Sequence, residues 1–149
     1  MLQINKIVKL STIKPELQHL CINLAKKSDA PRKMSAILLD KRNKVISTGV
    51  NSYVITHTQQ FYAAVIASKK FRDPSLASKI YLHCEINCLL RARRPGYKLV
   101  ICGIGGHGGS ELRDSFCCPI CYHYIRTNCT SIKEIHWSTS DQNFKYIKL

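Results

Sequence analysis

Apolar and polar positions divide the chain into short segments of two kinds. Leu17, Leu20, Cys21 and Leu24 in "TIKPELQHLCINLAKK" recur at helical spacing, which predicts an amphipathic first helix with Pro15 near its first turn and Thr12 as its cap. "MSAILLD" and "KVISTGVNS" are short apolar runs flanking the polar turn "DKRNK", the pattern of a strand hairpin that delivers Asn51 just past its second strand. "THTQQFYAAVIASKKF" reads as partly helical, and "RDPSLASK" as a loop on its Pro, Ser and Asp. A third helix is predicted to begin near Tyr81, with Leu82, Ile86, Leu89 and Leu90 on one face. Arg91, Arg93 and Arg94 fall in its last turn, where cations suit the negative end of the helix dipole, and Pro95 and Gly96 stop it. "YKLVICGIG" then reads as a buried strand, "GGHGGSELRDS" as a Gly-rich connection, "CPICYHYIRTNC" as a helix, and "IKEIHWST" and "FKYIKL" as the last strands.

Strands that alternate with helices after an antiparallel hairpin imply an α/β fold, a three-layer α/β/α sandwich whose mixed central sheet carries helices on both faces and whose later strands are linked by helices. Residues 1–149 are expected to form one domain, since no repeat or composition shift marks a boundary and the length suffices for a single core.

Composition narrows the setting. The chain is 45% hydrophobic and 21% charged, and no apolar run approaches the ~18 residues of a membrane span, so a membrane partner is not expected. "MLQINKIVKL" lacks the apolar core and cleavage site of a secretory signal, which makes the cytoplasm the expected location. In that reducing compartment the eight cysteines read as thiols, some of them metal ligands. Lys plus Arg outnumber Asp plus Glu by 23 to 9, a surplus that draws anions such as nucleotides or nucleic acids, although the charges are scattered along the sequence.

Two helix starts carry the candidate chemistry. Cys118 and Cys121 are three apart, so both sulfurs lie on one face of a first turn, and the positive helix end favours thiolates. His83 and Glu85, two apart, converge only at a helix entry. If His83 joins Cys118 and Cys121, zinc has three protein ligands and an open fourth position for water, the arrangement of a catalytic site, with Glu85 free to handle that water's proton. The plainer reading is a structural zinc held by Cys117, Cys118, Cys121 and His123. His107 is expected in a solvated loop, Trp137 in the core, and Cys21, Cys88, Cys102 and Cys129 as small apolar groups.

An H-x-E opening one helix and a C-x-x-C opening the next resemble the signature of the zinc-dependent cytidine and deoxycytidylate deaminase superfamily, over most of the chain from about Met34. "HCEINCL" is similar to the family's H-A-E-x-N-A, "CCPIC" to its P-C-P-x-C, and "TGVN" to the hairpin end that presents an asparagine to the sugar. Cys117 stands where the family has proline, and Cys84 where it has alanine; spacing to Cys121 favours Cys118 over Cys117 as ligand. The resemblance implies a cytidine deaminase-like fold, Zn2+ on His83, Cys118 and Cys121, and Glu85 as the catalytic acid and base. It further implies substrate contacts from Asn51 and the Cys84 backbone, and His57 is a further candidate contact.

The implied substrate is a cytosine nucleotide, deoxycytidylate-like on the strength of Asn87, with Arg113 or Arg94 as candidate phosphate ligands. The net charge of +14 keeps open a single-stranded DNA or RNA deaminase acting on cytosine or adenine. A zinc-stabilised binding protein without catalysis is the third reading. Relatives by resemblance often complete their sites across subunits, so a homo-oligomer is also left open.

Overall fold

Alternation along the central strands decides which side of the sheet each residue serves. The computed structural model describes residues 5–149. Its strands are β1 Lys9–Leu10, β2 Lys33–Leu39, β3 Val45–Val50, β4 Lys98–Gly105, β5 Glu111–Arg113, β6 Glu134–Ser138 and β7 Phe144–Lys148. Its helices are α1 Pro15–Ala25, α2 Thr58–Phe71, α3 Cys84–Leu90 and α4 Pro119–Asn128, with a 3-10 turn at Pro74–Ser78. Ala36, Leu38, Leu99 and Ile101 pack on one face against Ala64 of α2, Ile86 of α3 and Ile120 of α4. Ile37, Leu39, Val100 and Cys102 pack on the other against Cys21 and Ala25 of α1. Burying each Ile or Leu so completely contributes about 1.5–3 kcal/mol, so both faces hold their helices firmly. The result is the expected three-layer α/β/α sandwich.

The strand order is β1-β7-β6-β4-β2-β3. β2 runs antiparallel to both β3 and β4, and β4 runs parallel to β6 across the connection through α4. β6 takes residues 98–101 of β4 as partners, and β5 takes 103–105. Because β2 already holds the other edge of β4, β5 extends the edge on which β6 ends.

Several elements differ from the sequence pattern for local reasons. Lys14, not Thr12, occupies the N-cap of α1 and makes no side-chain cap; Pro15 at the first position is preset for the helix and needs no donor there. The third helix opens at Cys84 rather than near Tyr81, because His83 is extended at φ −80° and ψ 149°, and Leu82 is buried ahead of it. Arg91 is its C-cap, so Arg93 and Arg94 lie beyond the helix, and Leu90 is half-exposed rather than on the core face. β7 returns antiparallel to β6 through a turn with Gln142 at φ 64°, where a helix-linked strand was expected. β1, two residues long, and β5, inside the Gly-rich connection, are too short to show a period. Residues 1–4 lie outside the described residues. Among the described residues no helix is long and apolar enough to cross a membrane.

Candidate active site

α3 is fastened to β3 before any chemistry is placed on it. A Cβ on Gly49 would lie 2.5 Å from the Cys88 nitrogen and 2.8 Å from the Cys84 carbonyl oxygen, so only glycine allows this approach. Ser47 Oγ donates to the Cys88 carbonyl at 2.8 Å, and Asn87 Nδ2 donates to the Val50 carbonyl at 2.9 Å. The His83 N–H donates to Oε1 of Gln60, a fully buried side chain of α2, at 3.1 Å. On the opposite wall, buried Ser115 ties the approach to α4 to the sheet, donating to the Ile101 carbonyl at 3.1 Å.

These fastenings bring two helix N-termini face to face. His83 Nδ1 lies 3.4 Å from Cys118 Sγ and 3.3 Å from Cys121 Sγ, and all three donor atoms fall within 4.8 Å of one another. Tetrahedral zinc with ordinary bond lengths needs sulfur–nitrogen separations of about 3.6 Å, so the imidazole has to move by only a few tenths of an ångström to fit the ion. Cys117 and His123 are not part of this cluster; Cys117 is buried in the core, and His123 packs edge-on against Phe71. The donor set is therefore the open three-ligand one, not the closed four-ligand alternative.

Electrostatics at the cluster follow from burial and contact. Hydrogen bonds from Cys121 and then His83 hold the Cys118 thiol well below its ordinary value despite burial, whereas burial pushes Cys121 well above it. Cys118 is thus the more acidic of the two thiols, and a metal held by both sulfurs would displace the proton from Cys121. Burial would lower His83, but the Cys118 thiolate and Glu85 outweigh it and raise the imidazole. Glu85 is itself buried, at 3% exposure, and is raised by desolvation and then by the Cys118 charge. Its Oε2 accepts from Cys84 Sγ at 3.3 Å and lies 3.6 Å from Cys121 Sγ.

Comparison with known proteins bears on the fold. No protein-family model and no curated sequence matches the chain. Among solved structures, a cytidine deaminase from Burkholderia pseudomallei superposes with a TM-score of 0.51 at 16% identity, covering 87% of this chain and 91% of that one. The fold is that of a cytidine deaminase.

In this deaminase fold the cluster opens into a cavity of about 360 Å³ lined by Asn51, His83, Cys84, Glu85, Phe116 and Cys118. Asn51 reaches the cavity with most of its amide engaged. Oδ1 accepts from Ser28 Oγ at 2.6 Å and the Met34 N–H at 2.9 Å, while Nδ2 donates to the Arg32 carbonyl at 2.7 Å, leaving one N–H free. His57 lies elsewhere: it caps α2, its Nδ1 accepting from the Gln59 N–H at 3.0 Å, and it borders a separate groove with Phe61 and Tyr62. Arg113 pairs with Glu111 at 3.6 Å and Arg94 with Asp40 at 3.1 Å, and neither lines the cavity. The cations that do are Arg32 and Lys79, with Tyr53 and Tyr81 at ring separation 5.7 Å beside them. The sequence pattern missed all four, because each sits in a connecting segment without a period. Gln60 was missed too; a polar residue facing the core of an otherwise apolar helix face is the one signal it left.

Proposed function

We propose that the chain is a zinc-dependent hydrolytic deaminase that converts a cytosine nucleotide, of the deoxycytidylate type, to its uracil form with release of ammonia. The observation that carries this reading is the convergence of His83, Cys118 and Cys121 beside buried Glu85, at a cavity that His83, Glu85 and Cys118 line. At about 360 Å³ the cavity is near the lower end of ligand pockets, roughly 300–1,000 Å³, which suits one nucleotide.

Zinc bound by His83, Cys118 and Cys121 would supply Lewis acidity that makes a water nucleophilic near neutral pH. Glu85 removes a proton from the attacking water and delivers it to the ring nitrogen beside the amino-bearing carbon, as the new carbon–oxygen bond forms. Glu85 then carries the remaining hydroxyl proton to the amino group, the carbon–nitrogen bond breaks, and ammonia leaves as the carbonyl forms. Burial favours this shuttle, since a raised carboxyl holds a proton more readily than an exposed one. Asn51 lines the cavity with one side-chain N–H unengaged, which a sugar hydroxyl there would accept. Phe116 and Met34 supply apolar wall for the base, and Arg32 with Lys79 supply positive charge for a phosphate.

The test is ammonia release by the zinc-loaded protein from deoxycytidine, its mono- and triphosphate, and a cytosine-containing single strand. The monophosphate should show the highest kcat/KM, and Arg32→Ala with Lys79→Ala should erase its advantage over the nucleoside. No ammonia from any cytosine compound would end the deaminase reading. The second reading, a single-stranded nucleic-acid deaminase, draws on the half-exposed Tyr53 and Tyr81 rings at the cavity, which offer a stacking surface. Activity on the strand alone, falling steeply with salt, would select it.

A further inference from the structure

Basic residues that are far apart in sequence meet at one end of the sheet. Lys41, Arg42 and Lys44 occupy the β2–β3 turn, Arg91, Arg93 and Arg94 follow α3, and all six are exposed. Arg94 reaches Asp40 at 3.1 Å, and the same carboxylate accepts the Arg42 and Lys44 N–H groups at 2.8 and 2.9 Å. The Tyr97 N–H donates to the Leu39 carbonyl at 2.7 Å, Lys41 Nζ lies 5.4 Å from the Tyr97 ring centre, and Lys98 donates to Asn43 at 2.9 Å. The two segments therefore form one surface.

Neighbouring carboxylates do not neutralise it. Asp40 and Glu134 are mostly buried and already engaged, Glu134 by His136 at 2.9 Å and Lys98 at 3.9 Å. Of the six cations only Arg94 has an ion-pair partner among the described residues. The helix dipole accounts for Arg91, which caps α3, but not for Arg93 and Arg94 beyond it. Five positive charges without an ion-pair partner on one surface repel one another, and a polyanion would relieve that repulsion.

We propose that this pole binds the phosphate backbone of a nucleic acid. Three of its four arginines, Arg42, Arg91 and Arg93, have no ion-pair partner and present forked donors matched to phosphate oxygens. Its exposed apolar side chains, Val45 and Leu90, are too few to enter a lipid layer. The ring at the pole, Tyr97, is covered by Lys41, so no free aromatic surface stacks bases. Recognition is then by charge alone, and a duplex, with its higher charge density, binds at least as tightly as a single strand. The surface is separate from the candidate active site: the seven residues of α3, about 10 Å of helix, divide Arg91 from His83.

Fluorescence anisotropy of the full chain with a short labelled duplex of mixed sequence tests this. Five phosphate contacts give a slope of log K on log salt near −4.5, a loss of roughly 500-fold between about 50 and 200 mM salt. Replacing Arg42, Arg91 and Arg93 by Gln should make that slope shallower by about 2.7. A control that replaces Lys69, Lys70 and Arg72 at the end of α2 removes the same net charge and should leave the slope in place. Ammonia release from the monophosphate should be unchanged in both variants, which reports folding and the active site separately. Equal weakening by the two triple variants, unaltered binding in the first, tighter binding of a single strand than of the duplex, or equally tight binding to anionic vesicles would each overturn the proposal. Duplex binding with no ammonia release would sink the deaminase reading and leave this one standing.

Discussion

Glu85 Oε2 sits between a thiol donor on Cys84 at 3.3 Å and the Cys121 sulfur at 3.6 Å, enclosed away from solvent. Glu85→Gln keeps the shape and loses the proton carrier, so kcat should fall by roughly 100 to 10,000-fold while zinc stoichiometry stays that of the parent. Metal analysis alongside ammonia release checks both halves, and a parental rate would remove Glu85 from the chemistry. Cys121→Ser replaces a buried soft donor by a hydroxyl; zinc content should drop and thermal stability with it, and chelation of the unsubstituted chain should reproduce the same loss. Retention of full zinc in that variant would place the metal on other side chains. His83, Glu85, Cys118 and Cys121 were legible because their spacing is set by single helix turns, which a sequence displays directly. Arg32 and Lys79 were not legible: nothing local distinguishes them among 23 basic residues, and only the meeting of separate connections turns them toward the cavity.

Pairs of elements set how far such local motifs can be trusted. α3 has seven residues and no side-chain cap, too short to be stable alone, and is held by its contact with β3 over Gly49. Gly49→Ala puts a methyl carbon against backbone atoms that cannot rotate away, so a loss of about 3 kcal/mol or more is expected, at the upper end for overpacking. Because the displaced helix carries His83 and Glu85, zinc affinity should fall with the melting temperature. A chain with unchanged melting temperature and zinc affinity would show that α3 is positioned by Gln60 and Asn87 alone. The sequence displayed "TGVN" as a strand end but not the reason for its glycine, since that reason is another element's backbone. The boundaries of α3 were misplaced on the same ground: Leu82 is apolar because it is buried before the helix, and Arg93 and Arg94 lie beyond the helix, not in its last turn.

Across the whole molecule, the central hairpin and the β4–α4–β6 crossover could be read from alternation, while the return of β7 and the gathering of charge at one pole depend on contacts distant in sequence. The outer strands also bury a titratable group that the proposed chemistry does not use. His136 on β6 is fully buried, stacked on Tyr146 at 4.8 Å, with Nδ1 2.7 Å from Ser11 Oγ and Nε2 2.9 Å from Glu134. Burial lowers its pKa, with Lys98 adding to the shift, and outweighs the attraction of Glu134. In the unfolded chain the ring returns to about 6.5, so below that pH the unfolded state binds a proton that the native state refuses. The contribution to stability is therefore complete above the unfolded value and is lost as pH falls through it toward the lower native value. Melting temperatures of the parent and of His136→Gln, followed from about pH 8 to about pH 5 across this window, should converge on acidification, because glutamine has no proton to gain. Zinc ligands and Glu85 titrate alike in both chains and cancel in the difference. A constant gap between the two curves would mean that His136 takes up its proton equally well folded and unfolded, and that Glu134 compensates fully for burial.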